Sequence, residues 1–211
     1  MSIVKLKYEN QEYELEYGND FIQRGVESTG CFFELELLEQ LRARVGSFNT
    51  VVDIGANVGN HSFYFSKICN AETIYAFEPV EANFLLCKKN NPEINTQKVA
   101  LSNYIGRCTL KNTQPWNSGT SFLEGTKDGD VEVRTLDSYG YDSITFLKID
   151  VEGAEVQVLQ GAKETILKSL PDLLVEVHND ITIEDVMETL PNAYSYEFLG
   201  NYHYFIRANV K

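Results

Sequence analysis

No stretch of this 211-residue chain stays apolar long enough to cross a bilayer. The opening residues, Met1-Ser2-Ile3-Val4-Lys5-Leu6-Lys7, lack the continuous apolar core of a secretory signal. A soluble, cytoplasmic protein with no membrane partner is expected. Positive charge is scarce: 18 Lys and Arg stand against 31 Asp and Glu, a formal net charge of -13. Nucleic-acid binding draws its affinity from cations that neutralise phosphates, and no basic patch interrupts the acidic sequence, so no nucleic-acid partner is expected. The acid excess reads as solvated surface. Cysteines are few and scattered: Cys31, Cys69, Cys87 and Cys108 show no paired metal-ligand spacing and sit among apolar residues, as reduced core side chains do.

Glycine is missing from two positions that matter. The run Val51-Val52-Asp53-Ile54-Gly55-Ala56-Asn57-Val58-Gly59-Asn60-His61 reads as a strand, a tight turn and a helix start. Gly55 and Gly59 would let the backbone approach a ligand, and Asp53 sits where the strand ends. A dinucleotide fingerprint would place glycines where Asn57 and Asn60 stand, and the chain contains no Tyr-x-x-x-Lys pair. Both absences speak against an NAD(P)-dependent oxidoreductase, the first rival reading. A carboxylate at Asp53 would repel a diphosphate and attract a cation, and Asn57 offers an amide. S-adenosylmethionine, with its ammonium and sulfonium, matches those charges. A second apolar run, Thr73-Ile74-Tyr75-Ala76-Phe77, ends in Glu78-Pro79, where a carboxylate would grip ribose hydroxyls. An ordinary strand-to-helix turn explains either motif alone less well than the cofactor explains the pair.

At 43% hydrophobic, the chain can bury one substantial core. Val4, Leu6 and Tyr8, then Tyr13, Leu15 and Tyr17, alternate with polar residues around a polar turn and predict an N-terminal β-hairpin added to the main sheet. Leu35, Leu37, Leu38, Leu41 and Val45 recur at helical spacing and Gly46 stops the helix. Strands are expected at residues 50–54, 73–77, 97–101, 144–150 and 173–178, and helices at 61–68, 82–89, 154–169 and 183–190. Such alternation implies a parallel sheet with helices on both faces. Residues 194–199 and 202–208 flank Gly200-Asn201 too closely for a crossover helix and must pair antiparallel. The fold class is therefore α/β, a mostly parallel seven-stranded, Rossmann-like sheet of class I methyltransferase type with a C-terminal antiparallel hairpin strand. Residues 1–48 are read as a hairpin and helix packed on a core of residues 49–211, one structural domain overall. The hairpin edge could pair with a second copy, and the sequence does not specify the oligomeric state.

Four segments, in order, resemble the FkbM-like S-adenosylmethionine-dependent methyltransferases: Asp53-Ile54-Gly55-Ala56-Asn57-Val58-Gly59, Ala76-Phe77-Glu78-Pro79, Ala100-Leu101-Ser102 with Gly106, and residues 147–155 from Leu147-Lys148-Ile149-Asp150 to Val151-Glu152-Gly153-Ala154-Glu155. The resemblance implies that Asp53, Gly55, Ala56, Asn57, Gly59 and His61 border the methionine end of the cofactor. Glu78 and Pro79 would lie at its ribose, and Ala100, Leu101 and Ser102 at its adenine. Asp150 would reach both cofactor and reacting centre, with Glu152 beside it. The small-residue loop Asn117-Ser118-Gly119-Thr120-Ser121 resembles a family loop near the cofactor. O-methylation of a sugar or other small metabolite follows, with a small-molecule or glycan acceptor.

Methyl transfer to a hydroxyl needs alignment and a base. Asp150, Glu152, Glu176 and His178 lie at or just beyond the carboxyl ends of adjacent strands, where ligands bind in open α/β sheets. Asp150, Glu152 and His178 are the catalytic candidates, and Glu176 and His178, with Trp116, Asn117 and Ser118 of the polar loop, the substrate contacts. Each has a plainer explanation. Glu152 could simply favour a helix start, His178 and His61 could be structural, and Trp116 could tether its loop. Oxygen and imidazole ligands could hold a divalent metal, but acids gather at such crevices anyway and no metal is assigned. A binding module without chemistry is the second rival, against which the acids at 150 and 152 speak.

Overall fold

The computed structural model describes residues 2–18, 21–112, 121–125, 129–178 and 181–209. The chain opens with strands β1 (Ser2–Tyr8) and β2 (Gln11–Tyr17), paired antiparallel. Glu9 and Asn10 both adopt positive φ (49° and 79°), which gives the tight turn the twist of its strands. The alternation works as the sequence suggests: Val4, Leu6, Leu15 and Tyr17 are buried. The hairpin nevertheless forms a two-stranded sheet of its own rather than extending the main one. Two helices follow, α1 (Phe21–Thr29), which the sequence reading missed, and α2 (Leu35–Arg44), which buries Leu37, Leu38 and Leu41.

Then come β3 (Thr50–Ile54), α3 (Asn60–Lys67), β4 (Thr73–Phe77), α4 (Glu81–Asn90) and β5 (Asn95–Gln97). Strands β6 (Ala100–Leu101), β7 (Gly106–Asn112), β8 (Ser121–Gly125) and β9 (Val131–Arg134) lead through a 3-10 turn at Leu136–Tyr139 to β10 (Phe146–Ile149). The chain ends with α5 (Glu155–Gln160), α6 (Lys163–Ser169), β11 (Asp172–Glu176), α7 (Ile183–Thr189), β12 (Tyr194–Gly200) and β13 (His203–Ala208).

The seven-stranded sheet has the order β12-β13-β11-β10-β3-β4-β5. Strands β11 to β5 run parallel and β13 runs against both β11 and β12. Strands β3 and β10 lie at its centre, buried on both faces, which is why they read as continuous apolar runs. One core cluster joins the hairpin, α2, α3 and one sheet face. Another lies under α5, α6 and α7 on the opposite face. The hairpin covers helices instead of a strand edge: the backbone of Glu16 exchanges hydrogen bonds with the Asn90 side chain (2.8 and 2.9 Å), and the Tyr17 hydroxyl donates to Asn60 (3.2 Å).

Two elements differ from expectation. The single strand expected over 97–101 is divided: β5 belongs to the main sheet, while β6 pairs with β9 in a four-stranded sheet of order β6-β9-β7-β8. The helix expected over 154–169 breaks at Gly161-Ala162. There the Asp137 carboxylate accepts from Glu164 N–H (3.0 Å) and Thr165 N–H (2.8 Å), so α6 is capped by a residue far away in sequence. Gly161 packs so closely on the Ser102 carbonyl that a Cβ would lie 2.0 Å from it.

Candidate active site

Two clefts open at the carboxyl ends of β3, β4, β10 and β11 and share the walls Gly55, Asn57, Asp150 and Glu152. The first lies between the apolar side chains of Phe77, Val99, Leu101 and Leu110 and the polar rim at Glu78. The second carries Glu34, His61, Lys148, Glu176 and His178, with Ile22 and Phe33 as its apolar side.

The turn after β3 hangs on the end of β4, where Gly55 and Ala56 N–H groups both donate to the Phe77 carbonyl (2.9 and 3.0 Å). Gly55, Asn57 and Gly59 have φ of 78°, 51° and 83°, a left-handed alternation that glycine and asparagine tolerate. The protein itself requires both glycines. A Cβ at Gly55 would meet the Asp150 carbonyl oxygen at 1.8 Å, and one at Gly59 would meet Asn91 Nδ2 at 2.3 Å. Gly59 lines neither cleft. Asn57 lines both, but its Oδ1 accepts from Val58 N–H (2.8 Å) and its own N–H donates to Glu78 (2.9 Å). Asn60, in the third glycine position of a dinucleotide loop, clamps the N-terminal arm: Oδ1 accepts from Phe33 N–H (3.2 Å) and Nδ2 donates to Phe33 O (3.1 Å).

Asp53 does not offer its charge to the cleft. It is fully buried behind the turn, with Ser62 Oγ donating to Oδ2 (2.6 Å) and Lys148 Nζ 3.1 Å from Oδ1. Lys148, buried in an otherwise apolar strand, also donates to the Gly55 carbonyl (3.0 Å) and stands 3.3 Å from Asp150. Burial disfavours its ammonium, but Asp53 and Asp150 outweigh that and raise its pKa above the ordinary lysine value. The attraction for a cation assigned to Asp53 is thus already spent on Lys148.

Glu78 closes β4, buried, accepting from Asn57 N–H and Val80 N–H (2.8 Å). Burial pushes its carboxyl up to about 7 against those two hydrogen bonds. Pro79, Ala100 and Leu101 line the first cleft beside it, whereas Ser102 does not: its N–H is taken by the Arg134 carbonyl (2.9 Å). Ala56 and His61 line the second cleft. An apolar slot ending in a buried carboxylate with lone pairs to spare fits an adenosine, base against Phe77, Val99 and Leu101 and hydroxyls on Glu78. The shared wall beyond it leaves room for the methionine part of S-adenosylmethionine.

Four acids and two imidazoles line the second cleft, and His203 stands behind Glu34 and Glu176. Asp150 is pushed up to about 6, by burial against the pull of Lys148 and with Glu176 nearby. Glu152, with φ of 56°, is pushed up to about 7 by burial and by Asp150. Glu176 goes the other way. Its Oε1 lies 2.7 Å from His178 Nε2, and despite burial the hydrogen bonds from His178 and His203 hold it far below the carboxylate range. That bond raises His178 to about 9 against burial, and the Tyr202 ring packs 5.2 Å from the imidazole. Sequence reasoning missed Glu34, His203, Phe33, Ile22 and Lys148. Of these only Lys148 left a signal, a lone charge inside an apolar strand. Trp116, Asn117 and Ser118 lie outside the described residues. Among the described residues no group of three or more His, Cys, Asp or Glu is arranged to hold a metal ion, and no helix is long and apolar enough to cross a membrane.

The sheet, with a single reversed strand next to its edge and clefts at the strand ends, is that of the class I methyltransferases. Residues 53–198 match the methyltransferase FkbM domain, and the chain belongs to that family. It is 28% identical over 144 residues to 2-O-methyltransferase NoeI of Sinorhizobium fredii, covering 56% of this chain and 59% of that protein. It is 24% identical over 170 residues to hexuronic acid methyltransferase AglP of Haloferax volcanii, covering 76% of this chain and 69% of that one. The solved FkbM methyltransferase of Methylobacillus flagellatus superposes with a TM-score of 0.54 at 20% identity over 74% of this chain and 43% of its own. The matched region thus spans well under two thirds of NoeI and of that solved protein.

Proposed function

We propose that this chain is an S-adenosylmethionine-dependent methyltransferase that methylates a hydroxyl oxygen of a sugar or other small glycan acceptor. One observation carries the reading: an apolar slot ending at Glu78 and an acid- and imidazole-lined crevice share the wall of Gly55, Asp150 and Glu152. Relatives named as a 2-O-methyltransferase and a hexuronic acid methyltransferase support a saccharide acceptor. Four free cysteines suit a reducing compartment such as the cytoplasm.

When bound, S-adenosylmethionine supplies a methyl group on a positive sulfur, open to in-line displacement by an oxygen. The chain's own residues hold the partners and manage the acceptor proton. Glu78 takes the ribose hydroxyls, and the turn at Gly55 to Asn57 fixes the methionine end. Lys148 cancels Asp53 and holds Asp150, so the turn keeps its shape around an otherwise costly buried charge. Both poised acids border the two clefts, but Asp150, pushed up to about 6, is tied to Lys148, while Glu152 is pushed closer to neutrality; we assign Glu152 as the base that takes the hydroxyl proton. His178, kept protonated by Glu176, donates a hydrogen bond to the acceptor.

Calorimetry with S-adenosylmethionine and its demethylated product tests the cofactor, and no binding at millimolar ligand refutes it. Transfer of labelled methyl to a panel of methyl glycosides and uronic acids tests the acceptor. Glu152→Gln should cut turnover at least a hundredfold with cofactor affinity unchanged, and full activity would remove Glu152 from the base role.

A further inference from the structure

All three histidines of the chain fall in the second cleft or at its edge, and they alternate with two glutamates. His61 Nε2 lies 3.2 Å from Glu34 Oε2, and Glu34 Oε1 lies 3.8 Å from His203 Nε2. His203 Nε2 is in turn 3.5 Å from Glu176 Oε2, and Glu176 Oε1 is 2.7 Å from His178. Two members, Glu34 and His203, lie outside the segment 53–198 that matches the family.

Glu34 is held there against its backbone preference. Its φ of 55° and ψ of 37° are left-handed, a conformation that a non-glycine residue keeps only where its surroundings impose it. The imposition comes from Asn60, whose buried amide makes both hydrogen bonds of the preceding Phe33 backbone. The Glu34 side chain is 27% exposed. It faces His61 from α3, His203 from β13, Glu176 from β11 and Asp150 beyond β10, with Lys148 and Glu152 completing the charged wall. His203 is itself buried, with Nδ1 against the Gly200 carbonyl (3.3 Å). A carbonyl can only accept, so Nδ1 carries a proton and Nε2 is where a second one sits, between two carboxylates.

We propose that Glu34 is a positioning residue of the transfer centre: through His203 it sets how Glu176 holds His178 toward the acceptor, while its other oxygen anchors His61 beside the cofactor turn. The proposal rests on the reading of this cleft as a methyl-transfer site. Without the Glu34 charge, His203 gives its proton to Glu176 alone, which draws Glu176 toward His203 and loosens its hold on His178. The N-terminal arm thus supplies part of the centre as well as covering it.

The chain's three imidazoles all report on this cluster, so a ring-proton or ring-nitrogen NMR titration reads it directly. In Glu34→Gln, which keeps size and removes charge, the His203 imidazole should titrate lower, because it loses one of the two carboxylates that face it. His178, whose bond to Glu176 changes with it, should shift its ring-nitrogen resonance. Glu34→Asp should recover part of the change, which a purely structural role would not produce. An unaltered His203 titration in folded Glu34→Gln overturns the proposal, and so does a His178 resonance that does not move. Should Glu34→Gln fail to fold, Asn60→Ser, which frees the Phe33 backbone without touching a charge, carries the same test. Calorimetry of the unaltered protein with S-adenosylhomocysteine separates the two readings, because absent binding sinks the cofactor assignment while the titrations still decide the role of Glu34.

Discussion

Burial acts in opposite directions on acids a few ångströms apart in this site. Glu78 and Glu152 are pushed up to about 7 because burial outweighs the pull of Lys148 on the first and of His178 on the second, while Glu176, also buried, is held down by two hydrogen-bonded imidazoles. The working pH follows from these directions. Glu152 accepts a proton only when ionised, above about 7, and His178 donates only while protonated, below about 9. The rate per unit acceptor is expected to rise through the first value and fall through the second, and a profile lacking the acid limb would exclude Glu152. The same shifts bear on stability. His178 is raised in the folded state, so its contribution is complete below the unfolded histidine value and is lost as pH climbs through about 9. Glu176→Gln should remove that alkaline loss in urea titrations run across the same range. Glu78→Gln trades a carboxylate for an amide whose NH₂ opposes a backbone N–H. It is expected to weaken cofactor binding by about 1.5–3 kcal/mol, roughly tenfold to a hundredfold by calorimetry. An unchanged constant would take Glu78 out of the cofactor site.

At the scale of elements, what could be read in the sequence was whatever local pattern alone decides. Strands β3, β4, β10 and β11 announce themselves as apolar runs, and the closing pair β12 and β13 as two runs around Gly200-Asn201. The turn after β3 was legible, but the sequence could not show that the Asp150 carbonyl and Asn91 also exclude a Cβ at its two glycines. Asp53 was given to the cofactor for want of its partner: nothing local says that Lys148 of β10 lies against it, because that pairing exists only once β3 and β10 are neighbours. The break between α5 and α6 was hidden for the same reason. Its cause is Asp137, whose carboxylate takes the N–H groups of Glu164 and Thr165 and the Thr165 hydroxyl (2.7 Å). Asp137→Ala should therefore cost about 1–2 kcal/mol, as a lost helix cap does, measured as a lower urea midpoint with an unchanged slope. Stability equal to the unaltered protein would mean that α6 is set by packing alone.

For the whole molecule, the question is whether residues 1–48 are an attachment or part of one folding unit. The core cluster that holds Val4, Leu6, Leu15 and Tyr17 of the hairpin runs on through Leu38 and Leu41 of α2 to Val51 and Phe146 of the central strands. Phe32 sits at the joint, 2% exposed, with its ring 6.0 Å from Tyr8, 5.8 Å from Tyr13 and 5.3 Å from Tyr64. Aromatic edges and faces meeting at these spacings add to the apolar area they bury. A cluster that crosses the boundary in this way couples the two parts, so the chain should unfold in one step despite its separate sheets. Phe32→Ala empties the joint and is expected to cost about 3–5 kcal/mol. That loss should lower the transition seen by near- and far-ultraviolet circular dichroism together, because no part of the cluster can loosen without the rest. An early transition in the variant that spares the signal of the central sheet would instead make the arm a separate unit, and Glu34 would then reach the site only by docking.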